Sequence, residues 1–147
     1  MRNLLIGLAL SVVTAAASAD DMTTKQAATT AAIADSVSTY LAVASGATEV
    51  NPLVGANLGG LIMLAGVKLG ALEMIENSDQ TEQEKSEQKR TATAMWGSFS
   101  VSNLLVALSA ASPIAILAGL ASGSYLWMNS YADEETPVAS AVVASSQ

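Results

Sequence analysis

The stretch from Leu53 to Ile75 constrains this chain most. It is long enough to cross a lipid bilayer and holds Lys68 as its only charge before Glu73. Three other apolar stretches accompany it, at about Ala27 to Gly46, Thr93 to Ala111 and Pro113 to Tyr131. The first is rich in Ala, Thr and Ser and is interrupted by Asp35, so its hydrophobicity is marginal. Each of the last two approaches the ~20 residues needed to span a ~30 Å hydrocarbon core. The expected fold class is all-α, a membrane bundle of three or four helices arranged as two antiparallel helical hairpins.

Composition agrees with that class. Apolar residues make up 51% of the chain but aromatics only 4%, so the apolar fraction comes from Ala, Leu and Val rather than bulky core formers. Water-soluble cores lean on large aromatics. Membrane helices can instead hold together through close packing of small side chains. The chain has no Cys and no His. Thiolate nucleophiles, Cys/His zinc sites and His general bases are therefore excluded. A net charge of −7 argues against a nucleic-acid partner, which must neutralise phosphates. No cofactor or metal motif stands out, and an enzyme is the least favoured class.

The N-terminus reads as an address. Met1-Arg2-Asn3 is a short positive start, Leu4 to Ala17 is apolar, and Ala17-Ser18-Ala19 meets the small-x-small rule before Asp20-Asp21. That is the three-part pattern of a Sec-type signal peptide over residues 1–19, cleaved after Ala19. The alternative is an uncleaved anchor, for which the apolar run is short. The expected location is a membrane, with the bacterial inner membrane favoured, and the lipid bilayer is the expected partner.

Two Pro-containing breaks separate the helix pairs. Asn51-Pro52 precedes the second helix and Ser112-Pro113 the fourth, where Pro suits a first helical turn. Within Gly46-Ala47-Thr48-Glu49-Val50-Asn51-Pro52, Glu49 and Asn51 are expected to cap the start of the second helix, about residue 53. Residues 76–91, from Glu76 to Arg90 and beyond, form a mixed-charge run expected to be a solvated loop or a helical extension outside the bilayer. Residues 132–147 read as a polar, disordered tail.

Topology carries one tension. With a cleaved leader and four spans, the charged loop and both termini lie outside, placing Lys85, Lys89 and Arg90 against the positive-inside rule. If the first stretch does not span, the loop moves inside and the conflict disappears.

Three glycine pairs, Gly55/Gly59, Gly66/Gly70 and Gly119/Gly123, have the four-residue spacing that puts both members on one helix face. They predict close helix packing within the bundle or self-association through the glycine faces. Trp96, Tyr125, Trp127 and Tyr131 are expected to meet at one membrane interface as an aromatic belt.

The polar residues that stand out are Asp35 and Lys68. In a hairpin turning near residues 47–52, helical rise puts them ~18 and ~24 Å above the turn, a difference a Lys side chain covers. Asn103, on the helix descending from the charged run, falls at a similar depth, and Thr39 lies one turn from Asp35 on the same face. The sequence predicts one intramembrane polar layer of Asp35, Lys68, Asn103 and Thr39. It reads either as an ion pair fixing helix register or as a functional ion or proton site.

The segments Asp35-Ser36-Val37-Ser38-Thr39-Tyr40 and Gly46-Ala47-Thr48-Glu49-Val50-Asn51-Pro52 resemble a pattern of small uncharacterised bacterial and phage membrane proteins. In that pattern an Asp/Thr helix precedes a Gly…Glu-x-Asn-Pro turn. The resemblance covers roughly residues 30–60 and implies only a polytopic membrane protein. The function expected is a non-enzymatic integral membrane protein with a structural or partner-binding role, for which a phage or mobile-element origin fits. A holin-like pore former and an exported pilin-like subunit are the alternatives.

Overall fold

The computed structural model describes residues 23–47, 57–108 and 112–129. These form four helices, with no strand among the described residues: α1 (Thr24–Ala44), α2 (Leu58–Glu76), α3 (Glu82–Ala107) and α4 (Ser112–Asn129). The leader, residues 48–56 and the tail lie outside the described residues.

Local sequence sets the helix starts. Thr23 accepts from the Gln26 amide at 3.3 Å while Gln26 Oε1 accepts from the Thr23 amide at 3.1 Å, a reciprocal capping box that opens α1. Thr81 and Glu84 repeat the device at α3, at 3.3 and 2.8 Å. Asn57 caps α2 by accepting from the Gly60 amide at 2.9 Å. At the other end of α1 the chain turns off through Gly46 at φ +99°, with the Gly46 and Ala47 amides bonded back to Val43 and Ala42. Those two bonds make a Schellman-type end, and the backbone conformation there favours glycine.

The helices alternate in direction. Ala28, Ala31 and Ala32 of α1 cluster with Ala92 and Trp96 of α3, and Leu41 clusters with Leu104 further along, so α1 and α3 run parallel. Leu72 of α2 joins the first cluster, and Lys25 lies 3.9 Å from Glu73, so α2 runs opposite to α1. Ser102 donates to the Ala115 carbonyl at 3.0 Å and Arg90 to the Trp127 carbonyl at 3.0 Å, so α4 runs opposite to α3. The most extensive packing joins α1 to α3, with α2 laid mainly on α1 and α4 laid on α3. Two separate hairpins are therefore not the organising units, because the parallel α1–α3 pair forms the centre.

The interior is small and partly polar. Ala27, Ala28, Ala31, Ala32, Ala34, Ser36, Ser38, Ser100 and Ala115 are all buried. Large apolar residues point outward instead: Ile62, Val67 and Met74 on α2, and Ile114, Leu117 and Leu120 on α4, with Met74 76% and Leu117 68% exposed.

Of the two readings of the mixed-charge run over 76–91, a solvated loop or a helical extension, residues 82–91 take the second as the first turns of α3, and the connection from α2 is only residues 77–81. The Thr81–Glu84 capping box starts the helix there, and good helix formers carry it on. Among the described residues helix α2 begins at Leu58, capped by Asn57, and the expected start near residue 53 lies outside them. Among the described residues, α2 is the one helix long and apolar enough by itself to cross a membrane. The expectation that the last two stretches each suffice alone is not met, since α3 starts in charged sequence and α4 carries several Ser together with Pro113 and Asn129.

Candidate functional site

The structure brings together the four residues of the polar layer. Asp35 is 11 residues after the start of α1 and Lys68 is 10 after the start of α2, about 16 and 15 Å along helices ~30 Å long. The Lys68 ammonium donates to Asp35 Oδ2. Asn103 Nδ2, on α3, donates to Asp35 Oδ1 at 3.1 Å and to Thr39 Oγ1 at 2.8 Å. Asp35 and Lys68 are buried at 4% and 8% exposure, so neither reaches for solvent. Both carboxylate oxygens are therefore held, one by a cation from α2 and one by an amide from α3. That amide is itself fixed by a hydroxyl one turn along α1.

Trp96 of α3 borders the layer. The Trp96 ring centre is 6.0 Å from Lys68 Nζ, at the outer reach of a cation–π contact. Trp96 is buried against Ala28, Ala31, Ala32 and Leu72. It is a core residue and not the interface anchor expected from its type. The sequence placed it at a helix start, whereas α3 begins more than three turns earlier. Ser100 lies between Trp96 and Asn103 on the same stripe of α3, is 1% exposed, and its hydroxyl has no hydrogen-bond partner among the described residues. The buried Ser36 and Ser38 of α1 instead donate their hydroxyls to the Ala32 and Asp35 carbonyls.

A second set of polar contacts forms a collar at one end of the bundle. Lys89 donates to Glu76 Oε1 at 2.8 Å, joining α3 to the end of α2. Arg90 donates to the Trp127 carbonyl and lies 5.1 Å from the centre of the Trp127 ring, joining α3 to the end of α4. Lys89 and Arg90 are buried, at 7% and 3% exposure, whereas their charged sequence context suggests a solvated face. Lys89 meets the last residue of α2, so Glu82 to Gln88 project roughly 10 Å ahead of that contact along α3. Within that projection, the Thr81 amide and hydroxyl hold the Glu84 carboxyl below its ordinary value. At the opposite end, Ser45 to Ala47, Asn57, Leu58, Ala107 and Leu108 carry no charge.

Of the glycine pairs, Gly119/Gly123 makes a close approach. A Cβ at Gly119 would sit 2.0 Å from Ser102 Oγ and 2.7 Å from the Ser98 carbonyl, and one at Gly123 would sit 2.9 Å from the Ala94 carbonyl. Gly97, not singled out by its spacing, does the same for Leu126 at 2.2 Å. Gly66 and Gly70 face outward with nothing within 4 Å, and Gly59 meets only its own cap residue Asn57. Tyr125 and Trp127 lie on the outer surface of α4 near the charged end. Glu49, Asn51, Pro52, Gly55 and Tyr131 lie outside the described residues, and the cap of α2 is Asn57.

No protein-family model, curated protein or solved structure matches this chain. Its chemistry must be read from its own residues. Among the described residues, no group of three or more carboxylates is gathered to hold a metal ion. The arrangement at the layer holds one negative and one positive charge against each other, with an amide and a hydroxyl fixing the carboxylate.

Proposed function

We propose that this chain is an integral membrane protein whose four helices all cross the bilayer and whose role is non-enzymatic, structural or partner-binding. The observation that carries this is the inverted distribution of side chains. Ala, Ser, Asp35 and Lys68 lie inside while Ile, Leu, Met and Val of α2 and α4 face out. A hydrocarbon solvent accepts that exterior and leaves small-residue packing and buried polar contacts to hold the helices. Within it α1, too polar to span alone, is sheltered between α2 and α3. The Lys89–Glu76 and Arg90–Trp127 collar then lies at one interface, with Trp127 and Tyr125 at headgroup level. The signal-type leader supports delivery by export machinery.

The test is fractionation of the expressed chain, with the membranes washed in alkaline carbonate. The protein is expected to stay with the bilayer; release into the wash overturns the reading. Self-association is a second element of the proposal, favoured by the outward, unpacked Gly66 and Gly70 of α2. Cross-linking in native membranes tests it, and a monomer band alone at all cross-linker doses removes it.

A further inference from the structure

We propose that the Asp35–Lys68 pair sets the orientation of the bundle: by keeping α1 across the bilayer, it keeps α2, α3 and α4 from crossing in the opposite sense. This rests on the membrane reading above and adds to it the device that chooses between two topologies. A leader that delivers the start of α1 outside leaves two arrangements open. With α1 across, α2 begins in the cytoplasm and Glu82 to Arg90 stand outside, as the alternating helix directions require. With α1 left outside, α2 is the first span, for which it is long and apolar enough, and each later helix crosses in reverse.

The Lys and Arg distribution favours the second arrangement. In the first, Lys25, Lys85, Lys89 and Arg90 all lie outside, and the cytoplasmic connection from Ser45 to Asn57 has no Lys or Arg. In the second, Lys85, Lys89 and Arg90 are cytoplasmic, as the positive-inside rule prefers. What opposes it is the polar layer. Asp35, 4% exposed, accepts from Lys68 of α2 and, at 3.1 Å, from Asn103 of α3. Both contacts require α1 to stand among the other helices. Moving α1 out would strip Lys68 of its carboxylate 10 residues after the start of α2 and 8 before its end. A charge at that depth is tolerated when paired and expensive when not. The pair thus penalises the second arrangement through Lys68. If Lys68 alone loses its charge, the balance reverses: the unpaired group is then Asp35, and leaving α1 outside relieves it. Because Lys68 is central in α2, removing it transfers no positive charge from one membrane face to the other.

Sidedness of the full chain tests this. Lys25→Cys, Ser45→Cys and Ser86→Cys, each alone, are probed with an impermeant maleimide in spheroplasts before and after lysis. Pulse-labelled chains are read, so a variant that is degraded later still reports. In the parent, Lys25→Cys and Ser86→Cys are expected to react from outside and Ser45→Cys from the cytoplasm. Adding Lys68→Met is expected to exchange the sides of Ser45→Cys and Ser86→Cys while Lys25→Cys stays outside. The ratio of outside to cytoplasmic labelling at Ser86→Cys should fall about tenfold or more. Asp35→Asn, alone or with Lys68→Met, is expected to keep the parental sides, because no carboxylate is then left unpaired on α1. Leu72→Ala, which loosens the same packing cluster without exposing a charge, should keep them too. A pair that served stability alone would make the two single charge variants behave alike. Parental sides in Lys68→Met, inversion in Asp35→Asn or Leu72→Ala, or a parent with Ser86→Cys already cytoplasmic overturns the proposal. A parent whose three cysteines all react from one side refutes instead the membrane reading beneath it.

Discussion

The Arg90 guanidinium of α3 donates to the backbone carbonyl of Trp127 at 3.0 Å and lies 5.1 Å from the centre of the same residue's indole ring. One side chain thus donates to a carbonyl in the last described turn of α4 and covers the adjacent aromatic face. The positive charge also sits at the negative end of the helix. A lysine cannot reproduce both contacts, because it lacks the planar group that stacks. Arg90→Lys is therefore expected to lower stability by about 1–3 kcal/mol, from one charged hydrogen bond and part of a cation–π contact. Thermal unfolding in micelles, followed by circular dichroism, measures it. An Arg90→Lys variant that melts with the parent would show that the guanidinium geometry contributes nothing.

Asp35 and Lys68 form the second test, through a double-mutant cycle. Removing one partner of a buried pair leaves an uncompensated charge and is expected to cost about 3–5 kcal/mol, in Asp35→Asn as in Lys68→Met. The double variant leaves neither charge and should be more stable than either single. Accumulation in membranes and unfolding in micelles both report the cycle. Additive losses in the double variant would mean that the two charges do not neutralise each other.

The depth of that pair was legible in the sequence because helical rise is linear and one turn ties α1 to α2. Counting from residues 47–52 was enough to bring Asp35 and Lys68 level and to add Asn103 from the next descending helix. The collar was not legible in the same way. Lys89 and Arg90 sit in a run of charges that looks solvated, but Lys89 meets the end of α2 at Glu76 and Arg90 the end of α4 at Trp127, 37 positions away. The signal that was available is Thr81-x-x-Glu84, which starts a helix ahead of those residues. Trp96 was misplaced for the same reason. Once α3 starts at Glu82, Ala92, Thr93, Trp96, Ser100 and Asn103 fall on one stripe, and the tryptophan belongs to the interior.

The glycines separate two kinds of helix face. Gly119→Ala and Gly123→Ala place a methyl group against backbone carbonyls of α3 that cannot move aside cheaply, so each is expected to lose about 1–3 kcal/mol. Gly66→Ala and Gly70→Ala meet open space and gain helix propensity, so each is expected to be neutral or to gain up to ~1 kcal/mol. Melting curves of the four variants decide it. A loss at Gly66 or Gly70 that grows with protein concentration would instead reveal a second chain packed on α2.

Acid should loosen the projecting turns of α3 before the rest. The Glu84 carboxylate accepts from the Thr81 amide and hydroxyl, so the charged form is favoured in the folded state and its pKa is lowered. Its stabilisation is complete above the unfolded glutamate value and disappears as pH falls through the lower folded one. The Thr81 amide resonance is expected to titrate with that lowered value in the parent and to stop titrating there in Glu84→Gln. An unshifted midpoint in the parent would count against the capping box.

The alternation of helix directions makes a prediction about sidedness that hydropathy alone cannot make. Because α1 and α3 run parallel, Ser45 closes the uncharged end of α1 while Ser86 stands on the projecting start of α3 at the opposite end. Lys25, near the start of α1, belongs to the same end as Ser86. The chain has no native cysteine, so single cysteines at these positions can be probed with a membrane-impermeant maleimide. If all four helices cross, Ser86→Cys and Lys25→Cys label from one side of the membrane and Ser45→Cys from the other. The same helices lying flat in one leaflet would expose all three to the same side, and that pattern would exclude a transmembrane bundle. The side on which Ser86→Cys reacts also decides between the leader and the Lys/Arg distribution as the orienting signal. Labelling from outside follows from a cleaved leader that delivers α1 with its start exposed there. Labelling from the cytoplasm would mean that Lys85, Lys89 and Arg90 override it.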